Sequence, residues 1–370
     1  MTDPVVLPFL AARGCETPRI GLLQPADPFL DTAGEDLRRR IFLTADQSGA
    51  SLCLRPEFTI PVCLLHLDGD RAPARYAYAG TVFRQRRDEP AEFSQAGIED
   101  LGDPDEAGAD ARSVADAMAL LHHVAPAADW RVTLGDQAVF DAVIRALGLP
   151  DGWRKKLVRS FGSPDKVAGL LAALGAPRER VNGLPPAISA ALEAGDEAAL
   201  RAAIAAGMAS LGFPAAVSRT PRDIAARMLE QAALDNARLG GDHIAELRDF
   251  LAIEVPLEQA GAALRAFSAR LGGGMDGVLD AFEERVARLA GLNVDLSRIS
   301  YDAAFGRTLE YYSGLVFEIG LAGADRPVTG GGRFDRLLTL LGAKRPIPGV
   351  GFSVWLDRLP KDRLPKGDAA

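Results

Sequence analysis

The sequence predicts an α+β fold in which an antiparallel sheet is flanked by helices and interrupted by a helical insertion. Three short β-like runs precede a long helical pattern, at residues 51–54, 75–84 and 95–101. Strands that follow one another in this way usually pair as antiparallel hairpins. An alanine-rich stretch with helical periodicity comes next, and the mixed pattern then returns. We therefore expect a discontinuous core at 1–150 and 240–360, a helical insertion at 151–239, and a polar tail at 361–370.

Start and stop signals locate the other elements in chain order. A helix is expected near 35–42, another over 107–124 before Pro126, a strand over 130–134 and a helix over 137–147. Within the insertion, Thr220 and Pro221 are typical of a helix start. After the insertion, apolar residues at 278, 279, 282, 286 and 289 recur at helical spacing, and Gly291 is expected to close that helix.

Composition and charge narrow the class of protein. The 370 residues are 48% hydrophobic and 25% charged, which is enough for about two to three domains with a real core. The net charge is -8, which argues against a nucleic-acid partner. Arginines at 38–40 and 84–87 stand beside acidic residues, and we interpret both clusters as solvated surface.

Cysteine and histidine spacing predicts no metal site. Cys15, Cys53 and Cys63 lack C-x-x-C spacing, which is typical of reduced thiols and not of structural zinc. The four histidines also lack metal-ligand spacing. The N-terminal string MTDPVVLPFLAARG does not resemble a signal peptide, and no apolar run is long enough to span a bilayer. We expect a cytoplasmic chain with no membrane segment, metal or cofactor.

Residues 305–334 contain the densest group of candidate ligand-binding residues. In FGRTLEYYSGLVFEIGLAGADRPVTGGGRF, Arg307 offers a planar fork of donors for a carboxylate or phosphate. Tyr311 and Tyr312 offer ring faces and hydroxyls, and the glycines at 330–332 let backbone approach a ligand closely. Each feature alone is weak evidence for a ligand site. A glycine run is often only a turn, and of two adjacent tyrosines in a strand, one is often buried in the core and the other exposed at the surface. Together they predict a small-molecule pocket.

That string and three other blocks resemble the histidyl-tRNA synthetase family in the family's own order. The blocks are LRPEFT at 54–59, a motif 2-like stretch at 76–102, the histidine-specific region at 307–318 with GGRFDRL at 331–337, and a motif 3-like PGVGFSVWLDRL at 348–359. The resemblance implies a class II aminoacyl-tRNA synthetase-like antiparallel sheet flanked by helices. In that family this core forms a homodimer.

The chain departs from the synthetases at positions that serve catalysis. The loop between Arg84 and Gln95 is shorter than the motif 2 loop that contacts ATP and tRNA in the family. Trp355 replaces a motif 3 glycine, where an indole would crowd a nucleotide, and Phe58 replaces the glycine of L-R-P-E-G-T. Residues 359–370 are too few for an anticodon-binding domain. These departures resemble the regulatory subunits of short-form ATP phosphoribosyltransferase, so we expect no catalytic residues.

Eight residues stand where, by resemblance, the synthetases hold histidine. Glu57 and Gln95 can accept from an α-ammonium, Arg84 can form a fork with an α-carboxylate, and Glu99 with the tyrosines can meet an imidazole. Two alternatives stay open: Glu57 could cap a helix, and Arg84 could belong to a solvated basic run. The predicted histidine-binding residues are Glu57, Thr59, Arg84, Gln95, Glu99, Arg307, Tyr311 and Tyr312.

The resemblance implies a regulatory role in histidine biosynthesis. The chain would bind free histidine as an effector and pass that signal to a separate catalytic ATP phosphoribosyltransferase subunit in a hetero-oligomer. One alternative is a histidyl-tRNA synthetase that lacks its terminal domain. Another is an amino-acid-activating enzyme that acylates something other than tRNA.

Overall fold

Two β-sheets organise the strands of the computed structural model, which describes residues 5–32, 34–69, 72–87, 89–175, 183–210, 220–236, 241–307 and 311–360. The strands are β1 (Leu23–Pro25), β2 (Leu43–Ala45), β3 (Ser51–Leu54), β4 (Ala74–Phe83), β5 (Glu92–Leu101), β6 (Trp130–Asp136), β7 (Glu254–Pro256), β8 (Ile299–Asp302), β9 (Leu315–Leu321), β10 (Thr329–Arg333) and β11 (Gly349–Trp355). The small sheet has the order β1-β3-β2, and the large one has the order β4-β5-β11-β10-β9-β6-β8-β7.

The helices precede, separate and follow these strands. They are α1 (Val6–Ala11), α2 (Asp27–Thr32), α3 (Gly34–Arg38), α4 (Thr59–Asp68), α5 (Glu106–Val124), α6 (Gln137–Ala146), α7 (Asp151–Ser160), α8 (Pro164–Gly175), α9 (Pro186–Ala194), α10 (Glu197–Ser210), α11 (Pro221–Asn236), α12 (Gly241–Leu251), α13 (Leu257–Arg270), α14 (Asp276–Gly291) and α15 (Asp335–Leu340). Single 3-10 turns occur at Leu296–Arg298 and Leu356–Arg358.

The large sheet confirms the predicted antiparallel α+β architecture, with one exception. Every pairing in it is antiparallel apart from β6 with β8, which run parallel. The hairpin argument applies only to strands that follow one another closely. A long stretch of chain, including α13 and α14, separates β6 from β8, so their direction was not fixed by a short turn.

Of two predicted helix ends, one was wrong and one was confirmed. The helix expected near 35–42 ends at Arg38, because the chain then pairs with β3 and the Phe42 carbonyl accepts from the Leu54 amide at 3.0 Å. The predicted end at Gly291 is confirmed, although Gly291 does not adopt the left-handed conformation. It lies in the last turn, and Asn293 takes the positive φ of 57°, a conformation that asparagine tolerates better than most residues.

The chain divides into two compact units. The core unit comprises Met1–Val143, Phe161–Ser163 and Asp249–Ala370, and the helical unit comprises Ile144–Ser160 and Pro164–Arg248. The boundaries predicted from the sequence, at 151 and 239, stay a prediction. The predicted polar tail at 361–370 lies outside the described residues.

Each unit has its own apolar packing. In the core unit, Phe29, Ile60, Val82 and Val316 are among the fully buried members of one hydrophobic cluster. In the helical unit, Leu200 and Ile204 of α10 belong to a smaller buried cluster with Ala191 and Ala225. At the start of α11, the Asp223 amide donates to the Thr220 hydroxyl at 3.2 Å, which confirms the predicted helix start.

Candidate ligand-binding site

One face of the large sheet forms the floor of a cavity of about 1030 Å³ in the core unit. The register of β5 against β11 places Gln95 opposite Trp355, Gly97 opposite Ser353 and Glu99 opposite Gly351. Because side chains alternate along a strand, the three β5 residues share one face. The polar side chains of Gln95 and Glu99 therefore line the cavity. The small residues Gly351 and Ser353 of β11 lie in the same part of the lining.

The cavity brings together every residue that the sequence predicted for histidine binding. Its lining includes all eight: Glu57, Thr59, Arg84, Gln95, Glu99, Arg307, Tyr311 and Tyr312. They come from the start of α4, from β5, from the β4–β5 connection and from the segment before β9. Residues separated by more than 250 positions in the chain thus converge on one space.

Glu57 caps α4, as one of the two sequence interpretations predicted. Its Oε2 accepts from the Thr59 amide at 2.6 Å, and its Oε1 accepts from the Ile60 amide at 3.0 Å. Burial raises the pKa of Glu57, against the lowering effects of the Ile60 amide and of Arg84. A carboxylate has about four lone-pair sites, so the cap leaves acceptor capacity for a ligand in the cavity.

Glu99 is a nearly fully buried carboxyl group at the base of the cavity. Its Oε1 accepts from the Thr59 hydroxyl at 2.7 Å and from the Tyr78 hydroxyl at 3.1 Å. Burial raises the pKa of Glu99 to about 8, because the charged form loses solvation, and the nearby Glu57 adds to the effect. The oxygens Glu99 Oε2 and Gln95 Oε1 are buried and have no hydrogen-bond partner among the described residues.

Arg84 is a wall of the cavity and not part of a solvated run. Its Nε donates to the Pro56 carbonyl at 2.7 Å, and its guanidinium lies 5.6 Å from the Phe93 ring. Burial lowers the pKa of Arg84 to about 10, and the Glu57 carboxylate opposes that shift. The guanidinium group therefore stays cationic near neutral pH. The hydrogen bond to Pro56 uses Nε and does not involve the two Nη atoms.

The arginine and the tyrosine pair of the histidine-like region contact each other. Tyr311 and Tyr312 are both buried, with ring centroids 5.1 Å apart. Burial raises the pKa of Tyr312, and the nearby Arg307 guanidinium opposes that shift. Arg307 Nη1 also lies 3.8 Å from Glu318 Oε2 on β9.

The glycines at 330–332 lie in a buried strand, β10, and not in a turn. A Cβ on Gly330 would lie 2.2 Å from Arg307 Nη1, and a Cβ on Gly332 would lie 2.9 Å from the Tyr312 ring. The sequence interpretation assigned the missing side chains to close approach by a ligand. In the structure, they make room for the protein's own cavity side chains, and only Gly330 of the three lines the cavity.

A network of ionic hydrogen bonds holds Ser313, the residue that follows Tyr312. The Ser313 amide donates to the Arg333 carbonyl at 2.8 Å, and the Ser313 hydroxyl donates to Asp335 at 3.0 Å. Arg333 in turn donates to Asp335 and to Asp110, each at 2.8 Å. Asp110 also accepts from Arg285 at 2.7 Å. Charged hydrogen bonds of this kind fix geometry well, so they hold the chain directly after Tyr312.

The mouth of the cavity is basic, which the sequence interpretation missed. Its lining includes Arg39, Arg40, Arg86, Arg87, Arg326 and Arg358, with Glu89 among them. The sequence predicts that the clusters at 38–40 and 84–87 are solvated surface. For Arg86 this was wrong, because its side chain is 8% exposed and its guanidinium lies 3.3 Å from the Phe93 ring. The local charge pattern gave no signal of this burial, which depends on Phe93 of β5.

Glu89 forms ion pairs with three of the arginines at this mouth. Its carboxylate pairs with Arg86 at 3.0 Å, with Arg358 at 3.6 Å and with Arg326. Three guanidinium groups around one carboxylate lower the pKa of Glu89, against a raising effect of burial that is the largest single contribution. The motif 2-like loop is thereby joined to the turn that follows β11.

Trp355 fills part of the space beside Arg307 and Arg358. Its ring is buried, and the two guanidinium groups lie 5.8 Å and 4.7 Å from its centroid. The indole therefore takes up space in the cavity lining beside two arginines. Arg358 lies in the single 3-10 turn that follows β11.

A membrane-spanning helix and a metal-binding cluster are both absent from the described ranges. None of the helices in those ranges is long and apolar enough to span a bilayer. Within the same ranges, no group of three or more metal-ligating side chains is arranged to hold an ion.

Comparison with known proteins supports a single family. The family model described as histidyl-tRNA synthetase matches residues 6–216 and 215–359. The chain is 55% identical over 350 residues to the ATP phosphoribosyltransferase regulatory subunit of Allorhizobium ampelinum, with 94% of each chain covered. It is 54% identical to the protein of the same name from Mesorhizobium japonicum, again with 94% of each chain covered.

Solved structures share the fold at much lower sequence identity. A Bacillus halodurans protein described as ATP phosphoribosyltransferase regulatory subunit/histidyl-tRNA synthetase matches with a TM-score of 0.63 and 20% identity, covering 95% of this chain and 75% of that one. Histidyl-tRNA synthetase from Nostoc sp. PCC 7120 matches with a TM-score of 0.64 and 18% identity, covering 96% and 68%. These matches confirm the class II synthetase-like fold.

The names of the relatives also distinguish the regulatory role from the synthetase alternative. Relatives that are more than half identical along nearly the whole chain are called regulatory subunits and not ligases, which confirms the prediction of a non-catalytic subunit. With a class II core, a matching family model and these relatives, the chain belongs to the ATP phosphoribosyltransferase regulatory subunits, within the histidyl-tRNA synthetase family.

Proposed function

We propose that the cavity binds free histidine and that the chain uses this binding to control a separate catalytic ATP phosphoribosyltransferase subunit. The observation that carries the proposal is the convergence of all eight predicted residues on one cavity. Their chemistry matches an amino acid with an imidazole side chain, group by group. The residues that resemble the synthetases' histidine site are thus together in space while the nucleotide side is crowded by Trp355.

The cavity offers both basic and acidic groups, which suit the two charged groups of a zwitterion. Arg84 and Arg307 can each form a fork with an α-carboxylate. Glu57 and the unpartnered Gln95 Oε1 can accept from an α-ammonium. A ligand that supplies a donor there would remove the cost of a buried oxygen without a hydrogen bond, which is about 1–3 kcal/mol.

Glu99 and the tyrosines are suited to the imidazole. With a pKa of about 8, the Glu99 carboxyl is mostly protonated at neutral pH. It can then donate to a neutral imidazole nitrogen or transfer its proton and pair with an imidazolium. The buried rings of Tyr311 and Tyr312 supply flat apolar surface beside it.

Regulation requires a partner and more than one arrangement of the complex. The name regulatory subunit, carried by the relatives, supports a hetero-oligomer with a catalytic ATP phosphoribosyltransferase subunit. The class II core supports a homodimer of this chain, as in the synthetase family. Histidine inhibits the partner only if it binds one arrangement more tightly than another, and a coupling of about 1–3 kcal/mol corresponds to roughly 5- to 150-fold inhibition.

The test is phosphoribosyl transfer by the reconstituted complex across a histidine titration. Tyr312→Ala and Arg307→Ala should raise the histidine concentration for half-inhibition, measured relative to each complex's own uninhibited rate. Arg131→Ala is a matched control, because Arg131 lies outside the cavity lining and its side chain is 55% exposed. If both cavity variants are inhibited as the parent is, the cavity is not the histidine sensor. Calorimetric titration of the isolated chain then shows whether histidine binds it at all.

A further inference from the structure

Three residues of the core unit interrupt the helical unit. The helical unit ends its first stretch at Ser160 and resumes at Pro164, and Phe161–Ser163 between them belong to the core unit. Phe161 is buried and stacks on Phe140, with ring centroids 4.4 Å apart. The tripeptide Phe161–Ser163 is therefore anchored in the core, and α7 and α8 are covalently attached to its two ends.

The tripeptide meets the backbone of the segment that carries Arg307. A Cβ on Gly162 would lie 2.3 Å from the Gly306 carbonyl carbon and 2.5 Å from the Arg307 amide nitrogen. A Cβ on Gly306 would lie 2.6 Å from the Gly162 nitrogen and 2.6 Å from Phe161 Cδ1. Both positions must be glycine for these two backbones to approach so closely.

The same segment is held on its other side by a third glycine. A Cβ on Gly135 of β6 would lie 2.0 Å from the Phe305 carbonyl oxygen. The Phe305 amide donates to the Asp302 carbonyl at 3.1 Å at the end of β8. Phe305, Gly306 and Arg307 thus run between a strand of the sheet and the tripeptide, with no side chain to cushion either contact.

The position of Arg307 matters because its guanidinium has little freedom. It fits against Gly330, lies close enough to Tyr312 to oppose the rise in that tyrosine's pKa, and lies 5.8 Å from the Trp355 ring. A displacement of its amide nitrogen would carry the side chain away from these neighbours. The bidentate geometry that a carboxylate requires would then be lost.

We propose that the tripeptide Phe161–Ser163 positions Arg307 in the cavity through the contact of Gly162 with Gly306. This inference rests on the proposed histidine-binding function. It makes Gly162 and Gly306 positioning residues that touch no ligand.

The first test compares glycine variants by calorimetric titration with histidine. Gly162→Ala should weaken binding roughly tenfold, because the new methyl group must displace the Arg307 backbone. Gly148→Ala is the matched control, since Gly148 has a similar positive φ of 68° against 85° for Gly162, and no described atom lies within 4 Å of its Cβ position. Equal affinities for the two variants would overturn the proposal.

A second variant removes the dependence on backbone strain. Gly306→Ala introduces the same collision from the other side, and its φ lies outside the left-handed range. It should also weaken histidine binding roughly tenfold, so the proposal stays testable if Gly162→Ala fails to fold. In an Arg307→Ala background, Gly306→Ala should cause no further loss of affinity. A second tenfold loss in that background would show that the glycine acts through another group.

A ligand-free measurement separates this proposal from the histidine site itself. The chain has three tryptophans, so 5-fluorotryptophan labelling gives three fluorine resonances, and Trp355→Phe assigns that of Trp355. Because Arg307 lies 5.8 Å from the Trp355 ring, Gly162→Ala and Gly306→Ala should shift that resonance, whereas Gly148→Ala should not. An unmoved resonance in both variants would refute the positioning role. A shifted resonance in a protein that binds no histidine would refute the proposed function alone.

Discussion

Replacing Glu99 with glutamine should remove a pH dependence from the stability of the protein. Glu99 is 1% exposed, and its pKa in the folded chain is about 8, against an ordinary value of 4.5. Between these two values the folded chain holds a proton that the unfolded chain has released. The free energy of unfolding therefore falls as the pH rises through this window, and the contribution is fully present only below it.

The size of the effect follows from the width of the window. At about 1.36 kcal/mol for each pH unit, crossing from 4.5 to 8 costs the parent up to about 5 kcal/mol. Glutamine has the shape of the protonated acid and keeps an oxygen that can accept from Thr59 and Tyr78. Glu99→Gln should therefore match the parent near pH 5 and exceed its stability near pH 9.

The assay is urea unfolding of both proteins at intervals from pH 5 to pH 9. The difference between the two unfolding free energies isolates Glu99 from the other titrating groups. Glu254→Gln is the matched control, because Glu254 lies exposed on the short strand β7, and it should follow the parent at every pH. Parallel curves for the parent and Glu99→Gln would show that Glu99 does not hold its proton in the folded chain.

Three other predictions follow from the cavity and its support. Arg84→Lys should weaken histidine binding roughly tenfold, because an ammonium cannot reproduce a fork, and calorimetry showing parental affinity would remove Arg84 from the site. Asp110→Asn leaves two buried arginines with one carboxylate fewer, so urea denaturation should show a loss of about 3–5 kcal/mol; a loss under about 1 kcal/mol would contradict the network. The parent should catalyse no histidine-dependent exchange of pyrophosphate into ATP, because Trp355 crowds the nucleotide side, and robust exchange would overturn that reasoning.

The candidate site was largely predictable because its residues lie in short ordered strings. LRPEFT contains Glu57 and Thr59, and the strand from Gln95 to Glu99 places alternate residues on one face. Such local patterns can be recognised in a single sequence without a structure. The convergence of these strings was inferred from family resemblance, and the register of β5 with β11 supplies the physical reason for it.

The parts that could not be predicted depend on contacts between distant segments. The burial of Arg86 depends on Phe93 from the following strand, and its local charge pattern alone suggested solvent. The close fit of Gly330 against Arg307 depends on how β10 meets the segment after β8. The parallel pairing of β6 with β8 depends on a crossover that no turn signal records. Each of these requires knowledge of the tertiary arrangement.

The row of glycines in β10 has a consequence for inherited variation in this protein. Since a single methyl group at Gly330 would collide with the Arg307 guanidinium, the smallest possible substitution there would displace a proposed ligand-binding side chain. If the cavity senses histidine, a selection for cells that overproduce the amino acid should recover changes at Gly330 as readily as changes at Arg307. The mutational target of feedback resistance would then extend to residues that have no side chain to contribute.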